Sequence, residues 1–269
     1  MKLNSDIQMN ELGQPILHKT PCYVQPGCQL YNEDCIETMQ RIETGTIDLM
    51  LTDPPYGTTG CEWDNHINIP LLWQEWERIL KANGTWIFTA AQPFTSTLIT
   101  SRAGFFKYSL VWDKKFCGAF ALAKIRPMIV HEDVLIFSRG RTVYNPQVTK
   151  RRNSIKEGGK NKSESAPVKY FEKMNKVYDE KQPVSILEFP RDLGRTTHPT
   201  EKPIDLFRYL LRTYSNENDL VFDGYSGSGT TAAACIKEKR RFIGSELSKE
   251  YFDKSVQRLE LLRSQPELF

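Results

Sequence analysis

Two groups of residues in the 269-residue chain have the types and spacing for chemistry. The first is Thr52-Asp53-Pro54-Pro55-Tyr56-Gly57, directly after the short, mostly apolar run Ile47-Asp48-Leu49-Met50-Leu51. Such a run reads as a buried strand, so the motif projects a carboxylate and an aromatic ring from a sheet edge. Two prolines stiffen the turn and remove two backbone donors, which fixes the Pro54 carbonyl beside the Asp53 carboxylate. The result is a rigid pair of acceptors with the flat face of Tyr56 alongside. That pair suits a planar group carrying an exocyclic NH2. The four residues Asp53 to Tyr56 are a short pattern, however, and they also read as an ordinary turn after a strand.

The second group is Asp223-Gly224-Tyr225-Ser226-Gly227-Ser228-Gly229-Thr230-Thr231. It lies between the apolar run Leu220-Val221-Phe222 and the helix-forming Ala232-Ala233-Ala234-Cys235. Glycines there let backbone approach a ligand closely, and a helix N-terminus presents N–H groups. A further strand, Arg241 to Glu246, ends in an acid. An acid about 20 residues beyond such a turn is placed to grip ribose hydroxyls. Gly224, Gly227 and Gly229 do not fit the G-x-G-x-x-G spacing of pyrophosphate binders, so the expected ligand contains a nucleoside but is not a dinucleotide.

The elements that position these groups follow from periodicity. Leu30-Tyr31 begins a strand, and Cys35 to Ile42 has the spacing of a short helix. Leu71, Leu72, Trp73, Trp76, Ile79 and Leu80 repeat at helical spacing, with Asn83-Gly84 read as the stop. Strands are expected at Trp86-Ile87-Phe88, Tyr108 to Trp112 and Val134 to Phe137, with a helix from Phe94 to Ser101. Helices follow at Ile204 to about Tyr214, with Thr200 as a candidate cap and Pro203 in the first turn, and at Lys249 to about Arg263.

Between Arg139 and Pro183 the apolar runs vanish. Arg139, Arg141, Lys150, Arg151, Arg152, Lys156, Lys160, Lys162, Lys169, Lys173, Lys176 and Lys181 are interleaved there with Tyr144, Tyr170, Phe171 and Tyr178. Basic and aromatic side chains together suit a phosphate backbone and unstacked bases; a charge run alone also describes a solvated insertion. The net charge of +3 decides little by itself. Cys22, Cys28, Cys35, Cys61, Cys117 and Cys235 form no CxxC pair, which points to free thiols in a reducing compartment and no metal site. No apolar run reaches membrane-spanning length, and a cytoplasmic location is expected. The division expected is an N-terminal arm over 1–28, a catalytic half over 29–138, a recognition insert over 139–195, and a cofactor-binding half of the same domain over 196–269.

Asp-Pro-Pro-Tyr first, a basic insert next and the glycine turn with its acid last is an order that resembles the beta group of amino-group DNA methyltransferases. The resemblance runs from about Gln29 to Leu261. It implies a three-layer α/β fold, a mostly parallel Rossmann-like sheet with an antiparallel edge strand, and S-adenosylmethionine as methyl donor. It places Asp53, Pro54, Pro55 and Tyr56 at the target amine, with Asp53 also bordering the cofactor. Asp223, Tyr225, Gly227, Gly229, Thr230 and Thr231 would form the cofactor turn, and Glu246 would hold the ribose. Asp34 would contact the cofactor's adenine, and Thr200 and Lys202 its methionine end. The insert, with Trp63, would hold double-stranded DNA and read it through the major groove.

Asp at the first motif position leans toward adenine N6 in that family, and Ser toward cytosine N4. The competing readings are cytosine-N4 methylation, methylation of a glutamine amide or an RNA base, and a non-catalytic DNA-binding protein keeping the fold. A homodimer and a separately acting restriction endonuclease are compatible with the resemblance. One departure stands out: the family turn commonly reads Asp-Pro-Phe, whereas here it is Asp223-Gly224-Tyr225, which bears on cofactor affinity.

Overall fold

The computed structural model describes residues 22–57, 67–116, 120–156, 177–191 and 201–264. In chain order the elements are β1 (Cys22–Gln25), β2 (Cys28–Tyr31), α1 (Cys35–Arg41), β3 (Ile47–Thr52), α2 (Ile69–Ile79), β4 (Leu80–Ala90), α3 (Phe94–Ser101), β5 (Phe106–Asp113), β6 (His131–Phe137), β7 (Thr149–Lys156), β8 (Val177–Lys181), β9 (Ile186–Glu188), α4 (Ile204–Tyr214), β10 (Leu220–Asp223), α5 (Thr230–Lys237), β11 (Arg241–Ser245) and α6 (Lys249–Ser264). They fall into two compact units, one of residues 1–145 with 185–269, the other Pro146–Val184.

The larger unit is built on a sheet of order β1-β2-β11-β10-β3-β4-β6-β5-β9. Strands β2, β11, β10, β3 and β4 run parallel. β1 is an antiparallel edge strand on β2. β6 runs antiparallel to both β4 and β5 inside the sheet, and β9 pairs parallel with β5.

Period-two alternation sends successive strand residues to opposite faces, and both faces are covered. Leu49 and Leu51, Val221, Phe242, Ile87 and Ile136 pack on one side with Leu206 and Leu210 of α4, Ala232 and Ala233 of α5 and Leu259 of α6. Met50, Phe222, Ile243, Phe88 and Phe137 pack on the other with Met39 of α1, Trp73 and Trp76 of α2 and Leu98 of α3. Double coverage is why the strands read as mostly apolar runs.

Several boundaries differ from the sequence expectations. Cys22–Gln25, counted with the N-terminal arm, forms β1. Asn83 and Gly84 do not stop the preceding helix: α2 ends at Ile79, and both residues lie within β4. A side chain at Gly84 would meet Leu80 Cγ at 2.6 Å and the Asp48 carbonyl at 2.9 Å. This glycine permits close approach of neighbouring backbone rather than a helix end. Pro203 is the N-cap of α4, not a first-turn residue, and its cap has no side-chain hydrogen bond; Thr200 lies outside the described residues. Ile186–Glu188, within the stretch expected as insert, belongs to the main sheet as β9. The smaller unit contains β7 and β8, an irregular antiparallel pair. Among the described residues no helix is long and apolar enough to cross a membrane.

Candidate active site

The parallel strands end on one edge, and chain order reverses there between β10 and β3. Open parallel sheets place their ligands outside the carboxyl ends of the strands at such a reversal. A cavity of about 410 Å³ lies at this edge, lined by residues from the ends of β2, β3, β10 and β11 and from the start of α5. Its volume lies within the roughly 300–1,000 Å³ usual for small-molecule sites.

One end of the cavity is built on the glycine turn. Asp223, the last residue of β10, is buried and accepts three hydrogen bonds: from Thr231 Oγ1 at 2.5 Å, Thr52 Oγ1 at 2.7 Å and the Tyr225 amide at 3.0 Å. Burial pushes its carboxyl up from 3.8 to about 6, against the pull of those donors. Asp223 thus ties the turn to α5 and to neighbouring β3. Gly229 caps α5 in the left-handed region, at φ 76°, where glycine carries no steric penalty. Gly224 has another reason: a Cβ there would lie 2.9 Å from Cys35 Cβ. The departure from the common Asp-Pro-Phe turn therefore coincides with close approach of α1. The Cys35 thiol, buried in the cavity wall, is pushed up to about 12 by desolvation.

Glu246 follows β11. Its two carboxylate oxygens accept the amides of Gly227 and Ser248, each at 2.8 Å. Burial raises its carboxyl, and those two amides oppose the rise. Two backbone bonds leave a carboxylate with further acceptor sites, which suit a vicinal diol. Asp34 caps α1 through the Ile36 amide at 2.7 Å and also lines the cavity. Tyr225, Tyr251, Leu247 and Phe207 supply aromatic and apolar lining. Ser226 Oγ is buried without a hydrogen-bond partner among the described residues. A diol-binding acid, flat apolar walls and aromatic faces for a sulfonium fit a nucleoside with a cationic sulfur.

The other end is built on Asp53. Its Oδ1 accepts the Tyr56 hydroxyl at 2.7 Å and also the hydroxyl of Thr89, from β4. Its Oδ2 accepts the Lys202 ammonium at 2.5 Å. The Tyr56 ring stacks on Phe94 of α3, centroids 5.5 Å apart and planes 20° from parallel. Burial, then the charges of Asp53 and Glu132, push the Tyr56 phenol well above its ordinary value, so its hydroxyl stays a donor. Lys202, 7% exposed, also reaches Glu132 Oε2 at 3.4 Å. Burial lowers the Lys202 ammonium, but Asp53 and Glu132 together outweigh it and hold it above the usual lysine value.

Sequence reasoning missed Glu132, Thr89 and Lys114, which closes the group through Glu132 Oε1 at 3.2 Å. They come from three separate strand ends, and no local spacing marks them. Lys202, expected at the methionine end, has its ammonium on Asp53 and Glu132. Pro54 and Pro55 line the same cavity. Of the expected DNA contacts, Lys150 is exposed on β7 and Arg151 Nε donates to the Glu180 carbonyl of β8 at 2.9 Å. Arg152 and Lys156 lie on β7, but their side chains are outside the described set, as are Trp63 and Lys160 entirely.

A sheet of this topology, with a turn-and-acid site sharing one cavity with Asp-Pro-Pro-Tyr, defines a class that comparison makes explicit. The DNA methylase family model matches residues 47–257. The chain belongs to this family of N6-adenine and N4-cytosine DNA methyltransferases, enzymes that use S-adenosylmethionine. Among its relatives, the Type II methyltransferase M.HpaI of Haemophilus parainfluenzae is 26% identical over 248 residues, covering 86% of this chain and 74% of that protein. The DNA adenine methyltransferase YhdJ of Escherichia coli K12 is 28% identical over 244 residues, covering 85% and 81%. The solved structure of the M1.HpyAVI–SAM complex matches with a TM-score of 0.59 at 26% identity, over 86% of this chain and 98% of that one. The cytosine-N4-specific PvuII methyltransferase shares the fold, with a TM-score of 0.62 at 18% identity over 90% and 88%.

Proposed function

We propose that the protein methylates N6 of adenine in double-stranded DNA. The observation that carries this reading is Asp53: a carboxylate beside a stacked tyrosine, in the same cavity as the turn and Glu246. The first position of the motif is Asp, which leans toward adenine in the family, and one relative at 28% identity is named an adenine methyltransferase.

In this reading Glu246 holds the ribose hydroxyls of S-adenosylmethionine and Asp34 faces its adenine. Tyr225, Gly227, Thr230 and Thr231 form the wall that Asp223 shapes, Gly229 caps the helix behind it, and Thr200 serves the methionine end, the Lys202 ammonium being committed to Asp53 and Glu132. The bound cofactor supplies an electrophilic methyl group on a sulfonium. The chain's own residues prepare the amine. An exocyclic amine is a poor nucleophile because its lone pair is conjugated into the ring. Asp53 and the Pro54 carbonyl accept its two N–H bonds, favour a pyramidal nitrogen and free that lone pair. Positive charge developing on nitrogen is stabilised by the Asp53 carboxylate already in place. A target inside a duplex must first leave the stack, and the Tyr56 ring, held by Phe94, gives it a surface to lie on. Lys150, Arg151, Arg152, Lys156 and Lys160 of the basic segment, with Trp63, hold the duplex.

The test is product identification. Unmethylated plasmid is incubated with the protein and S-adenosylmethionine, digested to nucleosides and resolved by chromatography and mass. N6-methyladenine is expected. N4-methylcytosine would overturn the choice of base, and no modified nucleoside would overturn the reading.

A further inference from the structure

Among the described residues, three of the roughly four acceptor sites of the Asp53 carboxylate are taken: two by the hydroxyls of Tyr56 and Thr89, one by Lys202. An ammonium 2.5 Å from Oδ2 draws charge from the oxygen left for the target amine. Tyr56 is clamped against Phe94, and Thr89 belongs to a central strand. The Tyr56 hydroxyl also lies 3.5 Å from Glu132 Oε2, but its ring is held by Phe94; Lys202 is the charged donor with a second carboxylate in reach. Glu132 Oε2 lies 3.4 Å from the same Nζ, and Glu132 is itself anchored through its other oxygen by Lys114 at 3.2 Å. A movement of about 0.6 Å gives a charge-assisted bond of normal length. A buried ammonium cannot leave one carboxylate without another to receive it.

We propose that Glu132 is a positioning residue for methyl transfer: it takes over the Lys202 ammonium when the target amino group engages Asp53. Glu132 thereby sets how much acceptor strength Asp53 offers the amine, without touching the reacting atoms. This rests on the role of Asp53 given above. Among the described residues, the groups facing the ammonium are Asp53 and Tyr56 from the turn after β3 and Glu132 from β6, with Lys114 behind Glu132. Glu201, just before Lys202 in the chain, is paired with Arg258 at 2.8 Å.

The test compares wild type with Glu132→Gln in two ways. Steady-state kinetics should show kcat down about tenfold or more while KM for cofactor and DNA stays within about threefold. Without cofactor or DNA, the Lys202 ammonium, followed by NMR and identified by its loss in Lys202→Met, should titrate at lower pH in Glu132→Gln, because only Asp53 then opposes burial. Unchanged kcat in an active, folded variant overturns the proposal. So does an unmoved Lys202 titration, or a loss confined to KM. A wild type that methylates nothing overturns the functional reading instead, and the titration still decides whether Glu132 holds the ammonium. If Glu132→Gln does not fold, Glu132→Asp keeps the charge and shortens the reach. It should lower kcat in the same sense, and wild-type kcat in that variant overturns the proposal.

Discussion

At the level of single residues, the cofactor end rests on two carboxylates with different tasks. Glu246 keeps acceptor capacity beyond its two backbone bonds, whereas Asp223 is enclosed by Thr231, Thr52 and the Tyr225 amide. Glu246→Gln should weaken S-adenosylmethionine binding about 10- to 100-fold, the range for loss of hydrogen bonds to a charged group. Calorimetric titration checks this, and wild-type affinity would remove Glu246 from the ribose. Asp223 should show itself in stability. Its folded carboxyl titrates near 6 rather than 3.8, so the folded state holds the proton more tightly than the unfolded chain. Stability from this group is therefore lost as pH rises from about 4 to about 6, by at most roughly 1.4 kcal/mol per unit. Urea unfolding should show the wild type losing stability relative to Asp223→Asn across that window and no further change above about pH 7. Parallel curves would contradict it.

At the level of elements, the strands that carry function were legible because burial on both faces leaves mostly apolar runs, each followed or ended by an acid. Asp53, Asp223 and Glu246 could be placed from those runs alone. Three features were not legible, each for a physical reason. Gly84 reads as a helix stop, but its role is close packing against Asp48 and Leu80, which only the neighbouring strand reveals. The antiparallel direction of β6 depends on its partners β4 and β5, not on its own periodicity. Glu132 opens an ordinary-looking strand, and its meeting with Lys202 joins positions 70 residues apart in the chain. The β7–β8 unit raised the opposite problem: a charge run conceals strands whose pairing is irregular. If its basic side chains contact phosphates, Lys150→Gln with Arg151→Gln should weaken DNA binding across sequences. The plot of log affinity against log salt should flatten by about 1.8, two contacts at about 0.9 each. Fluorescence anisotropy across a salt series measures this, and an unchanged slope would remove both residues from the interface.

At the level of the whole molecule, topology does what no single motif can. The glycine turn comes late in the chain and Asp-Pro-Pro-Tyr early, yet β10 and β3 are parallel neighbours and Thr52 bonds directly to Asp223. One cavity is therefore lined by both the glycine turn with Glu246 and by Asp53, the nucleoside and amine sites of the proposed function. The central claim is that these are separable halves of one active centre, binding on one side and chemistry on the other. Asp53→Ala tests it most directly, with methyl transfer to DNA and S-adenosylmethionine affinity measured on the same preparation. Transfer should fall by about a thousandfold or more, with cofactor affinity within about threefold of wild type. Transfer at a near wild-type rate would contradict it.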